Sequence, residues 1–189
     1  MEVLLSSTLL VAFAEIGDKT MLLAIVLAAR LKRPWPIIWG ILGATIFNHA
    51  LAAWAGAAIA GLANGWWFRF AVAMGFLAMG AWTLIPDKID DEASAATKGN
   101  AFLTTLVAFF LAEMGDKTQI ATVALGARYQ AIGLVAAGTT LGMMIANVPA
   151  VFMGEGITRL LPMRAIRFGA AAIFVALGLW ALIELFQPD

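Results

Sequence analysis

The hexapeptide Glu15-Ile16-Gly17-Asp18-Lys19-Thr20 recurs as Glu113-Met114-Gly115-Asp116-Lys117-Thr118, 98 positions on, in a chain of 189 residues. Both copies interrupt apolar runs long enough to cross a membrane. On insertion scales an ionisable side chain at the bilayer centre costs roughly 2.5–3.5 kcal/mol. Three per copy cost on the order of 8–10 kcal/mol, which the surrounding Leu, Val, Ile, Phe and Ala must offset. One such patch could be an accident of packing. The same patch at the same depth of two helices is a duplicated site, and it points to an ion or proton path.

The rest of the chain agrees with a membrane setting. Hydrophobic residues make up 62% of it and charged residues 13%, against about 25% charged in soluble domains. Breaks at Pro, Gly, Asn and charge clusters divide it into six spans near 3–29, 36–62, 67–86, 101–127, 131–157 and 165–186. Each is long enough to cross a core of about 30 Å with some tilt. The first run contains Glu15, Asp18 and Lys19 and follows Met1-Glu2, so it reads as a retained helix and not as a signal peptide. Formal charge is zero, which suggests neither nucleic acid nor an acidic partner. There is no Cys, which excludes disulfides, thiolate metal sites and thiol catalysis.

The repeat extends beyond the hexapeptide. Gly43 and Asn48 match Gly142 and Asn147, Arg69-Phe70 matches Arg167-Phe168, and Gly80 with Trp82 matches Gly178 with Trp180. Three helices were therefore duplicated as a unit. An odd number per unit makes the second copy enter the membrane from the opposite side, a common ground plan of secondary transporters. The expected fold is an all-α integral membrane protein, with six transmembrane helices arranged as two inverted three-helix repeats. Residues 1–86 and 101–189 form the repeats, and 87–100 form an acidic linker carrying Asp87, Asp90, Asp91 and Glu92.

Lys and Arg outside the motifs are distributed unevenly. Arg30, Lys32, Arg33, Lys88, Lys98, Arg159, Arg164 and Arg167 fall on one side, and Arg69 and Arg128 on the other. The positive-inside rule puts the linker in the cytoplasm and both termini outside.

At about 100° per residue, Glu15 and Asp18 lie about 60° apart on one face of an unbroken helix, with Lys19 to the other side of the Glu. Glu113, Asp116 and Lys117 repeat the arrangement. Related by a pseudo-two-fold axis in the membrane plane, these faces bring four carboxylates together near the midplane. Four such groups cannot all stay ionised without compensating cations. A divalent ion with Lys19 and Lys117 would compensate them, and so would protons once the metal leaves. That is the core of a cation/proton exchange through coupled sites.

Gly17 and Gly115 have two readings, close helix packing through a small residue or a local break that frees backbone carbonyls. Thr20 and Thr118 face away from the carboxylates unless the helix is broken. Gln119 extends the acidic face with an amide oxygen and is a candidate ligand, whereas its counterpart Met21 reads as packing. Asn48 and Asn147 either hydrogen-bond between helices or line the ion path. Pro149 should kink the fifth span and loosen its carbonyls. His49, the chain's single His, has Val148 as its counterpart and reads as hydrogen-bonded or interfacial. Glu155 is placed to pair with Arg159 at i+4, and Glu184 falls near the outer end of the sixth span.

The twin Glu-x-Gly-Asp-Lys-Thr motifs, six spans and acidic central stretch resemble the manganese/calcium transporters related to Golgi transmembrane protein 165 and their bacterial manganese exporters. The resemblance covers essentially the whole chain. It implies exchange of Mn²⁺ or Ca²⁺ for H⁺ without a resident cofactor, and carries the family's acidic motif residues onto Glu15, Asp18, Glu113 and Asp116. The short central stretch implies a prokaryotic plasma-membrane member. Its partners are then the divalent ion, protons and the bilayer, with a homo-oligomer left open.

Oxygen-only ligands suit Mn²⁺, Ca²⁺ and Mg²⁺ better than Cu⁺ or Zn²⁺. They discriminate little between Mn²⁺ and Ca²⁺, and the resemblance favours Mn²⁺. A Ca²⁺/H⁺ antiporter is the nearest alternative. A cation channel shares the acidic faces. A membrane aspartyl protease would use Asp18 and Asp116 as a dyad, but it leaves the paired Glu, the adjacent Lys and the inverted repeat unexplained.

Overall fold

Two of the six expected spans are interrupted at the glycine of the repeated hexapeptide. The computed structural model describes residues 1–63, 65–85, 100–154 and 162–186. In it α1 (Glu2–Glu15) ends at the first motif and α2 (Lys19–Leu31) starts beyond it, and α5 (Ala101–Glu113) and α6 (Lys117–Tyr129) do the same at the second. Gly17 and Gly115 take φ of 84° and 75°. In that left-handed region an L side chain costs about 1–2 kcal/mol, so glycine is the residue that allows the turn. Of the two readings of these glycines, the break is the one the backbone adopts.

The remaining helices are α3 (Pro34–Leu62), α4 (Trp66–Thr83), α7 (Ile132–Met153) and α8 (Met163–Phe186). Six continuous spans thus become eight helices among the described residues. α3, α7 and Arg164–Phe186 of α8 are each long and apolar enough to cross a membrane unaided. Pro34 opens α3, where its missing N–H costs no helical hydrogen bond. Asn100 caps α5 by accepting from Phe102 N at 3.0 Å. α2 and α6 both end on left-handed residues, Lys32 (φ 50°) and Gln130 (φ 51°), so the backbone repeats there although the side chains do not. α7 runs through Pro149 to Met153. The acidic cluster Asp87–Glu92 and the expected Glu155–Arg159 pair lie outside the described residues.

The two halves interlock. α1 packs chiefly on α7 and α5 on α3, so each broken helix lies against a long helix of the other half, while α4 packs on α8. Glycines permit the close approach, as is usual in membranes. A Cβ on Gly142 of α7 would meet Thr8 O of α1 at 2.6 Å, and one on Gly40 of α3 would meet Phe102 O of α5 at 2.8 Å.

The buried apolar side chains form two clusters. One joins α2, the start of α3, α5 and the end of α7 through Leu23, Leu27, Ile37, Ile41 and Phe109. The other joins α1, the end of α3, α4, α6, the start of α7 and α8 through Leu10, Phe76, Leu125, Val135 and Phe174. Chain order puts both hexapeptides at the level where these clusters meet. The outer surface is itself apolar, with Trp35, Trp39, Trp54, Trp67 and Trp180 all exposed. That suits a lipid-facing exterior with aromatic anchors.

Candidate cation site

Breaking each helix directly after its glutamate reverses the expectation for the last residue of the motif. Each turn is closed by a backbone hydrogen bond, Asp18 N to Glu15 O at 3.0 Å and Asp116 N to Glu113 O at 3.1 Å. The chain direction changes there, and the threonines swing back onto the carboxylates. Thr20 Oγ1 donates to Glu15 Oε2, and Thr118 Oγ1 donates to Glu113 Oε2 at 2.9 Å. The single-helix face reading of Glu15, Asp18 and Lys19, and of Glu113, Asp116 and Lys117, is therefore corrected. Asp18 and Asp116 instead occupy the N-cap positions of α2 and α6, where a carboxylate meets the positive end of a helix. Asp116 Oδ1 accepts from Lys117 N at 2.7 Å.

The residue four places after each glycine has a shared role that sequence did not reveal. Gln119 Oε1 accepts from Gly115 N at 2.7 Å. Met21 Sδ lies 3.4 Å from Gly17 N in the equivalent place. Both cover the glycine N–H that the break exposes, one with an amide oxygen and one with a thioether.

Contacts between the motifs run across the two halves. Lys19 Nζ lies 3.4 Å from Asp116 Oδ2 and within electrostatic range of Glu113. Glu15 is within electrostatic range of Glu113 and Asp116. Lys117 departs from the symmetry, since its Nζ donates to Ile85 O at 2.9 Å and lies 5.9 Å from the centre of the Trp82 ring.

Glu15 and Glu113 are fully buried, and Asp18 and Asp116 nearly so. Glu15 Oε1 and Glu113 Oε1 have no hydrogen-bond partner among the described residues. Buried oxygens of this kind are costly unless a cation or proton satisfies them. In this arrangement no three acidic or imidazole side chains among the described residues converge closely enough to hold an ion. The carboxylates approach one another without closing a cage.

Three further polar residues sit around them. Asn48 Nδ2 donates to Phe110 O at 3.1 Å, so Asn48 makes the interhelical hydrogen bond. The carbonyl it meets belongs to the last turn of α5, where the break removes helical donors. Asn147 Nδ2 donates to Met143 O of its own helix at 3.0 Å, and its buried Oδ1 has no partner among the described residues. His49 is neither interfacial nor hydrogen-bonded among the described residues. It is fully buried, with Nε2 at 3.9 Å from Glu113 Oε2. Glu184 is at the far end of α8, where it pairs with Arg128 at 3.2 Å.

The family described as divalent cation/proton antiporter GDT1 matches the chain twice, over residues 3–91 and again over 101–189. The chain belongs to the GDT1 family. This GDT1 protein is 48% identical over 180 residues to the Vibrio cholerae protein called "Putative manganese exporter", which covers 95% of this chain and 90% of that one. A GDT1-like protein of Synechocystis is 32% identical, over 78% of this chain and 80% of its own. GDT1-like protein 5 of Arabidopsis thaliana is 26% identical, over 90% of each. No solved structure matches the chain. Membership makes the protein a membrane transporter and not an enzyme, which sets the protease alternative aside. The cation/proton exchange expected from the motifs is the activity of the family.

Proposed function

We propose that this GDT1 protein exports Mn²⁺ from the cytoplasm in exchange for protons, using Glu15, Asp18, Glu113 and Asp116 as the shared oxygen donors. The observation that carries the proposal is the contact between halves. Lys19 of the first motif reaches Asp116 of the second, and Glu15 of the first lies within electrostatic range of Glu113 and Asp116 of the second. A single ion held there would be sensed by both halves at once. Gln119 offers an amide oxygen beside the second motif, and Asn48 and Asn147 stabilise the surrounding helices. The similarity to the Vibrio cholerae protein supports Mn²⁺ as cargo.

Exchange follows from competition. Metal and protons occupy the same buried oxygens, so loading one displaces the other, and apparent metal affinity rises with pH. Residues 1–86 and 101–189 act as the two inverted halves, with 87–100 as the linker between them. Rocking of one half against the other would draw the carboxylates together around the ion and open the site to alternate sides. Ca²⁺, also an oxygen-seeking ion, is the alternative cargo.

Two experiments test this reading. In proteoliposomes carrying an internal pH dye, an imposed proton gradient should drive Mn²⁺ uphill, with proton movement in the opposite direction. Metal flux that only follows the metal gradient would favour a channel, and a marked preference for Ca²⁺ in competition would reassign the cargo. The Lys/Arg bias further predicts that a tag inserted within residues 87–100 is cytoplasmic and that a tag at the C-terminus is external. A C-terminus labelled from the cytoplasm would invert the orientation.

A further inference from the structure

The chain's single imidazole lies beside one of the two buried glutamates. His49 belongs to α3, and the tight α3–α5 contact places it against the broken end of α5. Gly40 lets α3 approach α5 to backbone distance, and Asn48 ties α3 to Phe110 O in the last turn of α5. His49 Nε2 then stands 3.9 Å from Glu113 Oε2, with both side chains fully buried. Neither ring nitrogen has a hydrogen-bond partner among the described residues, nor does Glu113 Oε1. An imidazole sealed from solvent with neither nitrogen satisfied is costly unless something binds it.

The spacing fits two donors on one ion. Ligands each about 2.2 Å from a shared metal are separated by no more than about 4.4 Å, and 3.9 Å falls inside that limit. The corresponding position in the second half is Val148, so the nitrogen is present on one side only. The two halves offer chemically different surroundings to the same cargo.

We propose that His49 is a nitrogen ligand of the transported ion, joining Glu113, and that it biases the site toward Mn²⁺ over Ca²⁺. Ca²⁺ takes oxygen ligands almost exclusively, whereas divalent transition metals bind imidazole well. Carboxylates alone discriminate little between the two ions. One imidazole supplies a preference that the duplicated motifs lack. The inference rests on the proposed binding of Mn²⁺ at the motifs.

Because the chain contains one His, labelling with ¹⁵N-histidine marks this residue alone, provided that no histidine tag is present. Pulsed electron paramagnetic resonance of the Mn²⁺-loaded protein should show ¹⁴N coupling that converts to ¹⁵N coupling on labelling. Nitrogen coupling that is absent, or unchanged by the label, would overturn the proposal without altering the four-carboxylate reading. In parallel, His49→Gln should lower Mn²⁺ affinity roughly tenfold and change Ca²⁺ affinity much less. Equal losses for both ions would mark His49 as structural. Purified wild-type protein that binds no Mn²⁺ would overturn the export reading and this inference together.

Discussion

Glu113→Gln should leave the protein inserted and abolish metal transport, a loss of at least about 100-fold. Removal of a residue that only supports a metal ligand already costs about 10–100-fold. Here the charged oxygens themselves are lost. The substitution keeps the size of the side chain and an acceptor for Thr118 Oγ1, so the α5–α6 turn is preserved. What disappears is the titratable carboxylate beside Lys19 and His49, and with it the ability to exchange a proton for metal. Asp116→Asn should behave alike, because it empties the ion pair with Lys19. Mn²⁺ and Ca²⁺ flux in proteoliposomes, normalised to reconstituted protein, measures the effect. Normal flux of both ions through Glu113→Gln would remove the shared-carboxylate site.

Gly115→Val should reduce transport more than tenfold for a different reason. A Cβ at this position meets nothing within 4 Å. The φ of 75° is the obstacle, and a β-branched residue held there carries about 1–3 kcal/mol of strain. The chain escapes that strain by joining α5 to α6 as one helix. Thr118 then rotates away from Glu113, Asp116 leaves its cap position, and Gln119 loses the Gly115 N–H. Gly115→Asn, which tolerates left-handed backbone better, should retain more flux than Gly115→Val at matched expression. Full activity in Gly115→Val would show that the break is dispensable.

These two substitutions also mark how much was legible in the residues. Duplication, helical class and the acidic pairs could be read because identical side chains recur at offsets of 98 or 99. The break could not, because a glycine in an apolar helix serves close packing and left-handed turns equally well. Only backbone geometry separates them, and once φ is positive at Gly17 and Gly115 the face assignments built on a continuous helix fail. Thr20 and Thr118 then move from the periphery to the carboxylates. Lys19 reads from sequence as a member of its own motif, but the Asp116 it reaches lies in the other half, a pairing that depends on how α2 approaches the α5–α6 turn. Met21 and Gln119 looked like an asymmetry, yet both cover an exposed glycine N–H by different chemistry. His49, which the repeat does not contain, reads from sequence as hydrogen-bonded or interfacial. Its position depends on the close α3–α5 contact, which only tertiary packing reveals.

The central claim is that metal and protons compete for the same buried carboxylates. Calorimetry of Mn²⁺ binding to purified protein, repeated in buffers of different ionisation enthalpy, measures the protons released per ion bound. The account predicts a binding enthalpy that varies with the buffer, with proton release changing with pH and lost in Glu113→Gln. A binding enthalpy independent of buffer at every pH from about 6 to 8, with metal still bound, would contradict it.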